Sequence, residues 1–150
     1  MIYTLKEYLV IRDTINGLVF TNGCFDIIHR GHVEYLNQAK SLGKSLIIGV
    51  NSDASVRRIK GEGRPINNES DRAFVLSNLK CVDAVIIFDE DTPYNLINAL
   101  KPDFLVKGGD WKEEQIVGSD IVKSYDGKVY SLKYVDSYST TNIIDKIKKD

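Results

Sequence analysis

The sequence predicts an α/β protein: one domain, a five-stranded parallel sheet in the order 3-2-1-4-5, and helices on both faces. Two observations carry this. Five short, near-continuous apolar runs recur along the chain, and segments with apolar residues at three- and four-residue steps lie between them. Strands of that kind alternating with helices mark a parallel sheet covered on both sides. The length, 150 residues, suits a single domain that buries about 70% of its unfolded surface.

An amphipathic helix is expected from Thr4 to Asp13, closed by Asn16-Gly17. Residues 1–16 form this N-terminal element, and residues 17–150 the core. The strands are Leu18–Asn22, Ser45–Asn51, Ala84–Phe88, Phe104–Lys107 and Lys128–Leu132. Val33, Leu36 and Ala39 give a helix that ends at Gly43. Phe74, Val75 and Leu79 give a second apolar face. Leu96, Ile97 and Leu100 give a third, opened by Thr92-Pro93 and stopped before Pro102, and Ile143, Ile144 and Ile147 a C-terminal one.

Composition removes several classes of function. Hydrophobic residues make up 43% and charged residues 27% of the chain, and the net charge is −1, so no global basic field speaks for nucleic acid. No apolar run approaches the roughly 20 residues of a membrane span. The start, "MIYTLKEYLVIRD", mixes charges among its apolar residues and does not read as a signal peptide. Cys24 and Cys81 are expected as reduced thiols in a cytoplasmic protein.

Both histidines fall in one stretch, "TNGCFDIIHRGHVEYL". It joins the first strand to the next helix, at the strand end where such sheets bind ligands. A helix start offers unpaired N–H groups and a positive dipole end, which suits phosphate. Gly23 permits close approach of backbone to a ligand, and Gly31 leaves space over the helix start. His29 and His32 flank that anion site, each with a ring N–H for a phosphate oxygen. The competing metal reading is weak, because Cys24-x4-His29-x2-His32 is not a zinc spacing.

These residues carry a resemblance. "GCFDIIHRGHVEYL" is similar to the H-x-G-H signature of the cytidylyltransferase-like nucleotidyltransferases. "VNSDASVRRIKGEGRPINNESDR", "LVKGGDW" and "STTNII" follow in the order seen in the adenylyltransferase domain of the ADP-heptose synthesis enzymes. In many bacteria that domain is fused to a sugar kinase, so this chain resembles the stand-alone form.

The remaining candidates combine residue chemistry with that resemblance. Thr21, Asn22, Gly23, Cys24, Phe25 and Gly31 belong to the turn expected to hold nucleotide. Asn51 and Asp53 end the second strand and cap a helix; the resemblance implies that they lie near the site. Arg57, Arg58, Lys60, Arg64 and Arg72 fall within sixteen residues around Gly61, Gly63 and Pro65. Arg57 and Arg58 read as a solvated face, while Lys60, Arg64 and Arg72 read as part of a mobile basic loop able to close over triphosphate. The resemblance implies that Lys60 and Arg72 lie near the phosphates or the sugar phosphate, with Arg64 beside them. Lys107, Gly108, Gly109 and Asp110 follow the fourth strand. The two glycines let backbone lie flat against a nucleoside, and Asp110 is a candidate to meet Mg²⁺ through water. Trp111 reads equally as a stacking platform or a buried core residue. Asp26 is assigned to the sugar-phosphate side or to shaping the turn. Ser139, Thr140 and Thr141 open the last helix, where hydroxyls and N–H groups are expected on the outer phosphates. Relatives often carry an arginine beside this last motif; here no arginine follows Arg72.

The resemblance therefore implies a Rossmann-like adenylyltransferase that uses ATP and a sugar 1-phosphate, with Mg²⁺ carried mainly by ATP. It also implies a homodimer or larger assembly and a separate sugar kinase as functional partner. Two readings stay open beside it. One is a related enzyme for glycerol 3-phosphate with CTP or phosphopantetheine with ATP. The other is a nucleotide-binding module without turnover.

Overall fold

The computed structural model describes residues 1–133 and 138–149. Its sheet is wholly parallel but has six strands, not five. Strand β1 (Ile2–Tyr3) precedes β2 (Leu18–Gly23), β3 (Ser45–Asn51), β4 (Ala84–Phe88), β5 (Phe104–Gly108) and β6 (Lys128–Leu132), and the order is β1-β4-β3-β2-β5-β6. The expected order 3-2-1-4-5 is corrected accordingly. The additional strand comes from the first residues, which pair Ile2 with Val85 and Tyr3 with Ile86. The terminal ammonium donates to the carbonyl of Asp83 at 3.0 Å, which helps hold that edge.

Alternation along the strands divides the core. Leu18 and Phe20 of β2 turn to one face, under α1 (Leu5–Arg12), α5 (Tyr94–Leu100) and α6 (Ser119–Ser124). Val19 turns to the other, under α2 (Arg30–Ser41) and α4 (Glu69–Ser77). This period of two is what lets one apolar run serve two layers. Helix α1 is shorter than expected and ends at a cap on Asp13, ahead of Asn16-Gly17. A capping box between Thr4 and Glu7 starts it. Tyr3, Leu5 and Tyr8 face the core and cover the sheet, while Leu9 and Val10 of α1 are exposed.

Three helix expectations need correction. On α4 the inward residues are Arg72, Ala73 and Leu76, while Phe74 and Val75 are exposed. A buried guanidinium occupies the face that apolar spacing alone assigns to Phe74 and Val75. In α7 (Thr140–Lys148) Ile147 is exposed. Helix α6 and a 3₁₀ turn at Glu113–Gln115 were not anticipated, since elements of six and three residues carry too little periodicity to read.

The chain builds outward from β2 through β3 to β4, then returns to set β5 on the other side of β2. Strand order therefore reverses between β2 and β5. The carboxyl ends of these two strands open a crevice, as the doubly wound arrangement dictates.

Candidate active site

A cavity of about 620 Å³ lies at that crevice, within the usual range for small-molecule sites. Its floor is the turn between β2 and α2. Phe25 adopts φ +48° there, a left-handed conformation costly for an aromatic residue. Its buried ring packs against His32, with centroids 5.3 Å apart, and this packing holds the strained turn in place. His29 is the N-cap of α2 and supplies no side-chain cap. The His29 and His32 rings stack at 3.8 Å and 22°. Both line the cavity, and the Nδ1 of each is buried with no hydrogen-bond partner among the described residues.

Burial lowers the pKa of His29. His32 is pushed down to about 4, by burial first and by the neighbouring His29 second. Both rings are therefore neutral at pH 7, each with one N–H to donate. A stability effect follows. The pKa of His32 is about 4 when folded and 6.5 ordinarily, so the unfolded chain binds the additional proton between these values. Stability is full above about pH 6.5 and falls as the pH drops towards 4. The expected loss is about 1–3 kcal/mol after allowance for solvent screening. Urea unfolding at pH 7 and pH 5 checks this: His32→Gln is expected to reduce the difference between the two, and an unchanged difference refutes the assignment.

Cations gather on one wall. Lys60 is the last residue of α3 (Asp53–Lys60), and Lys107 projects from β5; both line the cavity. The pKa of Lys107 is lowered, by burial and then by Lys60. Cys24 lies among these charges, yet burial raises its thiol pKa against the pull of Lys60, Arg72 and Arg64. A protonated thiol is a poor nucleophile.

The loop after α3 is less free than the sequence suggests. Arg64 Nε donates to Asp26 at 2.8 Å, and the N–H groups of Ile66 and Asn67 donate to the same carboxylate at 2.9 Å. Asp26 is 3% exposed. Burial raises its pKa, but the donors from Asn67, Ile66 and Arg64 outweigh that and leave it below the ordinary value. Asp26 thus anchors the second half of the loop and holds Arg64 at the cavity.

Arg72 and Asp53 are not on the cavity wall. The buried guanidinium of Arg72 donates to Asn67 O at 2.9 Å, Cys24 O at 2.6 Å and Asp53 Oδ1 at 2.8 Å. The expectation that it faces phosphate is corrected, because its donors are spent on three segments that frame the site. Asn51 does line the cavity, and its amide donates to Ser55 Oγ at 3.0 Å.

Asn22, Gly23, Cys24 and Phe25 reach the cavity, as do Ser139, Thr140 and Thr141. Ser139 caps α7, and Thr140 Oγ1 donates to Ile27 O at 3.1 Å, tying this helix start to the histidine turn. Thr21 is buried beneath, 2.6 Å from the Tyr35 hydroxyl. Gly31, Gly108, Gly109 and Asp110 lie outside the lining. Gly109 has φ +126°, and a Cβ there would stand 2.6 Å from Trp111 Nε1. This glycine therefore seats the indole, whose Nε1 donates to Gly108 O at 3.1 Å. Trp111 is 47% exposed at the cavity wall, which removes the buried-core reading.

Ile59, Asp91, Thr92, Pro93, Gln115, Val117 and Tyr138 also line the cavity, and the sequence alone does not point to them. The sequence marks Thr92-Pro93 only as a helix start. Its place just beyond the carboxyl end of β4 was the available signal.

The fold and this crevice define a nucleotidyltransferase-type α/β domain, and a family model agrees. The cytidylyltransferase-like model matches residues 20–146, and the chain belongs to that family. It is 61% identical over 130 residues to the bifunctional protein HldE of Geobacter metallireducens, covering 87% of this chain and 26% of that protein. It is 56% identical to the HldE of Wolinella succinogenes, covering 95% and 31%. The chain thus spans about a quarter to a third of the length of these curated relatives. Among solved structures, a lipopolysaccharide core biosynthesis protein from Thermoplasma volcanium superimposes with a TM-score of 0.63 at 32% identity, covering 81% of this chain and 98% of that one. A pantothenate synthetase from Thermus thermophilus, at 15% identity and a TM-score of 0.64 over 99% of this chain and 70% of that one, shares the fold alone.

Proposed function

We propose that this chain acts as an adenylyltransferase that transfers AMP from ATP to D-glycero-D-manno-heptose 1-phosphate, giving ADP-heptose and pyrophosphate for surface-glycan synthesis. The observation that carries the reaction class is the stacked, neutral His29/His32 pair facing Lys60 and Lys107 across one cavity. It is an array of donors suited to an anion. The sugar phosphate oxygen, already ionised at neutral pH, attacks the α-phosphorus in line. The new O–P bond forms as the bond to the β-phosphate oxygen breaks, and pyrophosphate departs with its electron pair. No general base is needed, so catalysis is positioning and charge stabilisation.

In this reading His29 and His32 donate to the α-phosphate, while the start of α7 at Ser139, Thr140 and Thr141 receives the outer phosphates. Lys60, Lys107 and Arg64 neutralise the triphosphate and the acceptor phosphate. Among the described residues no cluster of three or more His, Cys, Asp or Glu is placed to hold a metal ion. Mg²⁺ enters in this reading as a partner of the ATP phosphates, where it would supply charge neutralisation. A separate sugar kinase supplies the acceptor, the enzyme acts in the cytoplasm, and it assembles as a homodimer or larger unit.

Adenine and heptose rest on the likeness to the HldE proteins. The test is pyrophosphate release from ATP, CTP, GTP and UTP, each against heptose 1-phosphate, glucose 1-phosphate, glycerol 3-phosphate and phosphopantetheine. ATP with the heptose phosphate is expected to lead by tenfold or more in kcat/KM, about 1.4 kcal/mol of discrimination. A lead for CTP or another acceptor sinks this assignment, and no release with any pair sinks the enzyme reading.

Trp111 gives a second check. It is the chain's one tryptophan and sits half-exposed on the cavity wall, so titration with ATP and Mg²⁺ is expected to change its emission. Unaltered fluorescence at saturation, measured by an independent binding assay, argues against nucleotide contact on that wall.

A further inference from the structure

Four rings form a column along the cavity floor. Phe25 abuts His32, His32 stacks on His29, and His29 is followed by Tyr138, whose ring lies 6.2 Å away and 21° from parallel. The spacing is that of an offset aromatic stack. Tyr138 lines the cavity directly before Ser139, the cap of α7. Gly31 makes the contact possible. A Cβ there would stand 2.9 Å from Tyr138 Cβ and 3.1 Å from His29 Nδ1. The glycine between the histidines is therefore required by Tyr138 and the His29 ring lying over it.

The inner histidine is gripped by Phe25 and His29. The outer one has only His32 on one side and Tyr138 on the other, and its Nδ1 has no hydrogen-bond partner among the described residues to fix the ring. A histidine ring is normally oriented by a bond to its second nitrogen. Here packing replaces that bond.

We propose that Tyr138 is a positioning residue for His29: its ring is the outer wall that fixes the imidazole against His32 and couples it to the start of α7. The inference rests on the transfer reaction proposed above and names no substrate contact for Tyr138. The ring is the part of Tyr138 that meets His29, while its hydroxyl meets the Arg30 side chain. The charged and titratable neighbours of His29 are His32 on α2, adjacent Arg30, which pairs with Glu34 at 2.5 Å and bonds the Tyr138 hydroxyl, and Tyr138 itself. Burial is the cause of the lowered His29 pKa, and the Tyr138 ring is part of that burial.

The test compares Tyr138→Phe and Tyr138→Ala. The chain has two histidines, so two ring Cε1–H signals appear in NMR spectra, and His32→Gln assigns them. Tyr138→Phe is expected to keep kcat within about twofold and leave the His29 signal and titration midpoint in place. Tyr138→Ala is expected to lower kcat about tenfold, change KM for ATP less than threefold, and move the His29 midpoint up towards the ordinary histidine value. The inference is overturned if Tyr138→Ala leaves the His29 signal and midpoint unchanged, or if Tyr138→Phe loses as much kcat as Tyr138→Ala. Should the wild-type protein release no pyrophosphate, the reaction assignment fails, while the NMR comparison still decides whether Tyr138 fixes His29.

Discussion

Replacing His32 with alanine is expected to lower pyrophosphate release by about two to three orders of magnitude while the protein stays folded. The size is that of one preorganised donor removed from a site of developing charge. His32 suits such a role because it is held from both sides, by Phe25 at 5.3 Å and His29 at 3.8 Å. No reorganisation is then needed as charge grows on the phosphate. Its lowered pKa keeps it neutral at pH 7. The ring acts as a neutral N–H donor. Alanine removes the donor and leaves a small void beside Phe25, which costs some stability at pH 7 but relieves the acid-labile burial of an imidazole. The measurement is single-turnover pyrophosphate release with a thermal melt of the same sample. A well-folded mutant with near-normal release removes His32 from phosphate stabilisation.

The sequence carried the interior strands of the sheet because each is a dense apolar run bounded by polar or glycine residues, buried from both sides. It did not carry β1, whose two residues show no pattern and are held by pairing with a strand more than eighty residues away. Cavity-lining residues fixed by their place at a strand end or helix start were legible: Asn22 to Asp26, His29, His32, Asn51, Lys107, and Ser139 to Thr141. Partners fixed by long-range geometry were not. Nothing local tells that Asp26 takes Arg64 and the loop amides, or that Tyr138 closes the histidine stack. The exposed Phe74 and Val75 illustrate the same limit. Apolar spacing is a sound guide to the inward face only when no charged side chain is buried there, and the partners that permit such burial lie elsewhere in the chain.

Arg72 is that charged side chain, and its removal is expected to give the largest loss of stability among the residues framing the site. Its guanidinium reaches Cys24 O in the histidine turn, Asn67 O at the end of the basic loop, and Asp53 at the start of α3. Three segments that line or carry the cavity wall thus meet on one buried cation. Arg72→Ala leaves two carbonyls and a carboxylate without their donors and opens a cavity within α4's packing face. Breaking a buried ion pair by deleting one partner costs about 3–5 kcal/mol. In a chain of this size each kcal/mol moves the midpoint by about 2–4 °C, so the melting temperature is expected to fall by about 6–20 °C. Arg72→Lys keeps the charge but can satisfy only part of the planar fork, and is expected to fall between. Below its transition, the alanine variant is expected to bind the acceptor phosphate poorly, because Lys60 rides on α3 and Arg64 on the loop that Arg72 secures. A normal melting temperature with abolished turnover would reverse the assignment and put Arg72 on the substrate itself. A lowered melting temperature with raised acceptor KM supports the framework role that its three hydrogen bonds describe.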